Sequence, residues 1–274
     1  MFKSKFRTSY VLTMIIAVLA TIASAGGLFI DGLYRDNPLI TSAWHGNDFV
    51  TLVIAVPLMV LSLIFASRGS LKAQLVWIGT LGYMLYNYIF YLYGAAFNQF
   101  FLIYVLLFTL SIYALVFAMT KIDAMEVSQE FNVGTPVKWI SGFMMFFAVL
   151  LGALWIAMSL SFVFTGQVPP SILQTDHPTG VVFATDLSLL IPAMILGSTL
   201  LRKRQPWGFV LATIVLIKAS TYGLAMIAMS VYTYVDLGTV DSLFPLWAVL
   251  SLGCLISCGL LLGNMKSFPF RTET

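Results

Sequence analysis

Charge is what this chain has least of. Only 9% of its 274 residues are Asp, Glu, Lys or Arg, where a soluble globular domain carries roughly a quarter. Such a chain cannot cover a water-facing surface. Its net charge of +3 offers no basic patch for nucleic acid, and none is expected as a partner. Cysteine is nearly absent. Cys254 and Cys258 stand four apart in the last apolar run, on one helical face, and read as small buried hydrophobes rather than a disulfide framework. The catalytic signatures HExxH, GxSxG, the Walker loop and the dinucleotide fingerprint are all missing. Two histidines cannot supply a three-histidine zinc site. Long loops are lacking too, so any activity must be built from helices and their ends.

What the chain does have is apolar residues, 60% of the total. They fall in long continuous runs, which indicates spanning helices and not barrel strands. Eight runs approach the twenty residues needed to cross a bilayer: 9–30, 49–67, 73–95, 99–120, 139–164, 182–201, 207–233 and 243–264. Turn chemistry separates them, as in RDNP at 35–38, RGS at 68–70 and KRQPWG at 203–208. The expected fold is all-α: a polytopic transmembrane helix bundle forming one domain over residues 1–274. Pro57 and Pro192 are expected to kink the second and sixth spans. The first and last four spans share no motif that aligns by eye, so no internal repeat is expected.

The basic residues set an orientation. Lys3, Lys5, Arg7, Arg68, Lys72, Lys121, Lys138, Arg202, Lys203, Arg204, Lys266 and Arg271 fall on one side of an eight-span threading, and only Arg35 on the other. By the positive-inside rule both termini are cytoplasmic. The basic start, apolar core and Ala-Ser-Ala before Gly26 also fit a cleaved signal peptide. Apolar character continues past that point to Ile30, which favours an uncleaved first span.

The opposite side holds Asp31, Asp36, His45, Asp48, Asp176, His177, Asp236 and Asp241. His45, Asp48, Asp176 and His177 are the candidate metal ligands, although their spacing matches no compact zinc or calcium signature. Lys218 is more informative. It lies in KASTYG, about 18 Å into the seventh span, too deep to snorkel readily to the membrane surface. An ionisable residue at that depth marks a functional hypothesis. Asn87, about 21 Å into the third span, lies at a related level. Asp186 lies near the acidic end of the sixth span, and Thr221 and Tyr222 follow Lys218 on its own face. Together with Tyr83 these residues outline a polar pocket in the outer half of the bundle, with Asp31 and Asp48 at its rim. A lysine in mid-helix raises a retinal Schiff base, but no carboxylate lies one turn before it and a further span follows. No cofactor is therefore predicted.

The run YNYIFYLYGAAFNQFFLIYVLLF (86–108), with DFVTLVIAVPLMVL (48–61) and RKRQPWGFVLATIVLIK (202–218), resembles a family of bacterial multipass membrane proteins with a YNYxFYLxGAAFN-type segment. The resemblance implies a single helical domain in a prokaryotic cytoplasmic membrane, and it assigns no role to any residue. The leading functional expectation is a non-enzymatic membrane protein that binds or moves a small solute, ion or lipid through the outer pocket. A sensor or assembly protein with purely structural polar groups is the second reading. The third is an enzyme acting on lipid or isoprenoid material at the outer surface.

Overall fold

A computed structural model describes residues 5–266, so Lys3 and Arg271 of the basic set lie outside the described residues. Eight helices are long and apolar enough to cross a membrane. They are α1 (Arg7–Phe29), α2 (Pro38–Ser67), α3 (Leu71–Tyr93), α4 (Phe101–Met119), α5 (Val137–Thr165), α6 (Val181–Arg202), α7 (Pro206–Leu237) and α8 (Phe244–Gly263). Short helices Ala124–Gln129 and Pro170–Leu173 occupy two of the connections. Among the described residues there is no strand, only an isolated bridge between Phe131 and Met265.

Local chemistry sets the boundaries. The Asn37 side chain accepts from the Ile40 N–H at 3.0 Å, and Pro38 follows at the first helical position, where its missing N–H leaves nothing unbonded. The second helix therefore starts at Pro38, well before the apolar run beginning at 49. RDNP is a helix start as much as a turn, and His45 and Asp48 lie within the helix, not in a loop. Ser70 caps α3 by accepting from Ala73 N–H at 3.2 Å. Gly166 and Gly238 end α5 and α7 at φ 69° and 67°, left-handed geometry that a side chain would strain.

Helices α3 and α7 form the centre. In each, 72% of the most apolar window is buried, against 50% or less in the other six. Small residues let backbones approach there and around it. A Cβ on Gly79 of α3 would lie 2.6 Å from Ile217 Cβ of α7, and one on Gly46 of α2 would lie 2.6 Å from the Ala228 backbone of α7. Helices α2 and α4 pack on α3, and α2, α6 and α8 pack on α7, while α1 lies against α4 and α2, and α5 lies against α6. Large apolar side chains such as Val18, Leu102, Phe146 and Val249 point outward.

The two sets of four helices repeat one plan, contrary to the expectation from the sequence. Both α2 and α6 contain a π turn, Thr51–Ala55 and Asp186–Leu190, that leads directly into a proline, Pro57 and Pro192. The widened turn takes up the missing N–H, which is the form the expected kinks take. The helices then end at Ser67 and Arg202, the chain turns through left-handed Gly69 (φ 91°) and Arg204 (φ 53°), and the next helices start at Leu71 and Pro206. All these pairs stand at one spacing, 135 residues, as the numbers 57 and 192, 67 and 202, 71 and 206 show. The central contact obeys the same rule. Gly79 packs on Ile217 and Gly82 on Ile214, so corresponding positions exchange partners, as a two-fold axis requires. The repeat lies in helix boundaries and backbone form. Few side chains match across it, which is why no motif aligns.

Candidate functional site

Twelve residues into α7, Lys218 is buried between the two central helices. Its Nζ sits 3.0 Å from the centroid of the Tyr86 ring and 5.0 Å from that of Tyr222. It has no hydrogen-bond partner among the described residues. An ammonium over two phenol faces gains about 2 kcal/mol when desolvated. An unmatched buried donor loses 1–3 kcal/mol, and a charged one more. The rings alone therefore do not settle this cation.

Asp186 opens the π turn of α6 and is buried. It accepts from the Tyr86 hydroxyl through Oδ1 and from Trp155 Nε1 at 2.9 Å through Oδ2. Tyr86 thus lies between the two charged groups, giving its hydroxyl to the carboxylate and its face to the ammonium. Tyr222 stands edge-on to Tyr86, with centroids 4.8 Å apart, and stacks on Phe90 at 5.7 Å. Lys218, Asp186, Tyr86, Tyr222 and Phe90 line a cavity of about 160 Å³ whose wall also includes Trp44, Trp247 and His177. That volume is comparable to an engineered cavity that binds benzene.

The segment closing the acidic end is tied down by side chains. Asn37, while capping α2, donates to the Gln174 carbonyl at 2.9 Å and to Asp176 Oδ2 at 2.8 Å. Asp36 accepts from the Ala96 N–H at 2.9 Å. His177 is half-buried against Gly94, and its Nε2 lacks a partner among the described residues. Burial holds its imidazole below the usual range, opposed by Asp36, the Gly94 backbone and Asp176.

Of the residues expected to share a pocket, Asp186, Lys218 and Tyr222 meet at this cavity. Asn87 and Tyr83 do not line it. Asn87 Oδ1 accepts from Asn47 Nδ2 at 2.8 Å, and the Tyr83 hydroxyl pairs with Thr51 Oγ1 at 2.7 Å. Positions 86 and 87 differ by about 100° around the helix, so Tyr86 faces α6 and α7 while Asn87 faces α2. Thr221 is occupied within its own helix, donating to the Ile217 carbonyl at 2.9 Å. Asp31 is exposed in the turn after α1. Asp48 is no rim residue: deep in the first four helices, it accepts from the Tyr34 hydroxyl and from the Tyr91 hydroxyl at 2.9 Å. Three participants escaped the sequence reading: Tyr86, Trp155 and Asn47. Tyr86 was signalled by its tyrosine-rich surroundings. The other two carried no mark.

The metal candidates stay apart. His45 packs against Tyr34, Asp48 is engaged by two tyrosines, Asp176 is held by Asn37, and His177 lines the cavity. No group of three or more His, Cys, Asp or Glu among the described residues is placed to hold a metal ion. Compared with known protein families, curated proteins and solved structures, the chain shows no match.

Proposed function

We propose that this chain is a multipass membrane protein that binds a small ligand in the cavity around Lys218, as a step in moving or sensing it. One observation carries the reading: a buried ammonium with unused donors faces a cavity of about 160 Å³ between two four-helix sets. The carboxylate of Asp186 already accepts from Tyr86 and Trp155. The unused recognition capacity is therefore a donor, and the ligand it fits carries an acceptor, a carbonyl or a carboxylate. The aromatic wall fits a compact apolar body. Parallel repeats about an axis along the membrane normal, with the site where they meet, are a recurrent transporter plan, and this supports movement of the ligand. On this reading the basic end and both termini face the cytoplasm, and the cavity opens towards the acidic end. The Asp48 cluster favours a different role, that of fixing helix packing, because both carboxylate oxygens are bonded within the chain and, unlike Asp186, Asp48 does not line the cavity.

Native mass spectrometry of the purified protein beside Lys218→Met tests the proposal. The wild type is expected to release a co-purifying small molecule that the variant lacks, with both eluting as folded species. Identical spectra, with nothing bound to either, would overturn it.

A further inference from the structure

The repeat allows the site to be compared with its own counterpart. At the constant spacing of the two sets, Thr51 corresponds to Asp186 and Tyr83 to Lys218. Each pair joins the first residue of a π turn to the central helix that follows it. In the first set this pair is neutral and complete: Thr51 Oγ1 and the Tyr83 hydroxyl lie 2.7 Å apart, both residues fully buried. In the second set the positions hold a carboxylate and an ammonium that do not bond each other, and Lys218 Nζ is left without a hydrogen bond beside a cavity.

We infer that Asp186 and Lys218 are the specificity-determining pair of the cavity, placed where the first set keeps a packing pair, and that the fold does not need their charges. The inference rests on the ligand-binding reading above and deepens it. Burying two ions costs several kcal/mol each unless their geometry is excellent and their bonds complete. A packing role at the same place in the same backbone is filled by threonine and tyrosine without that cost. What the charged pair adds is an ammonium available to an acceptor-bearing ligand, with Asp186 holding Tyr86 so that its face supports that ammonium. Lys218 is the contacting residue and Asp186 the positioning one.

The test transplants the pair from the first set: Asp186→Thr with Lys218→Tyr, compared with each single variant and with the wild type. The introduced threonine carries one oxygen where the carboxylate carried two, so at best it accepts from one of Trp155 and Tyr86 and leaves the other unmatched, while the tyrosine fills part of the cavity. In detergent the double variant is expected to be at least as stable as the Asp186→Thr single variant and to have a midpoint within about 6 °C of wild type, the cost of one unmatched donor. It should hold less than a tenth of the co-purifying molecule. The reverse transplant, Thr51→Asp with Tyr83→Lys, forces charges into a closed site and should lower the midpoint sharply. A double variant whose midpoint falls more than about 6 °C below wild type would show that the fold needs the charges and overturn the inference. So would one that keeps its midpoint and its ligand. If the wild type carries no small molecule, the ligand-binding reading fails on its own, and the midpoints still decide whether the fold needs the charges.

Discussion

Tyr86 and Asn87 are neighbours in sequence that face different clusters, and most of what distinguishes the two buried networks follows from that. Around Asp48 both carboxylate oxygens are bonded: Tyr34 and Tyr91 donate to them, and Asn47 donates to Asn87 at 2.8 Å and to Tyr91 at 3.2 Å. Asp48→Ala would orphan two buried hydroxyls and should destabilise the protein by about 2–6 kcal/mol, from about 1–3 kcal/mol for each unmatched group. Asp48→Asn keeps an acceptor oxygen and should cost less than half of that. Unfolding midpoints in detergent order the three proteins, and an alanine variant as stable as wild type would remove the packing role. At this scale the sequence was legible only in part. Depth singles out Lys218 and Asp186, helical face adds Tyr222, and the three do line one cavity. Depth also groups Asn87 with Lys218, yet Asn87 bonds Asn47, because depth along a helix says nothing about azimuth.

Among the elements, the connection between α5 and α6 has the most condition-dependent attachment. It is held by Asn37, and it places His177 between Gly94 and the cavity. Burial depresses the His177 pKa below its ordinary value of 6.5, with Asp36, the Gly94 backbone and Asp176 opposing the shift. The docked state then binds fewer protons than the released one, so its stability rises with pH and falls as pH drops through about 6.5. Protection factors for hydrogen–deuterium exchange over residues 169–180, with the intrinsic rate divided out at each pH, should therefore fall between pH 7.5 and 5.5, and His177→Gln should flatten that dependence. An equal slope in both proteins would clear His177 of the role. The start of α2 shows why element boundaries are read less well than elements. Asn37-Pro38 is a strong helix start, but the residues after it are polar enough to hide a helix from a search for apolar runs.

On the scale of the whole molecule, the eight spans and their order were legible, because length and apolar character alone decide which segments can cross a bilayer. The two-fold plan was not. Its signature is the spacing of π turns, prolines and left-handed linkers, and of these only Pro57 and Pro192 appear in the sequence as a recognisable pair. Orientation still rests on the distribution of basic residues. A fluorescent-protein fusion at the C-terminus should fluoresce, and alkaline phosphatase inserted after Val168 should be active, placing the basic end in the cytoplasm. The opposite pair of signals would invert the molecule and bring the cavity mouth to the inner surface.

Tyr86 belongs to the first four helices, while the carboxylate it bonds and the ammonium it carries belong to the last four. This one side chain is a rivet across the seam of the two sets. On the ligand-binding reading, lifting Lys218 from its ring would loosen this contact across the seam, and shifting the seam would change how readily Lys218 leaves. By linkage the two events share a single coupling free energy, so any ligand that captures the ammonium must alter the seating of the halves by the same factor that their seating alters its affinity.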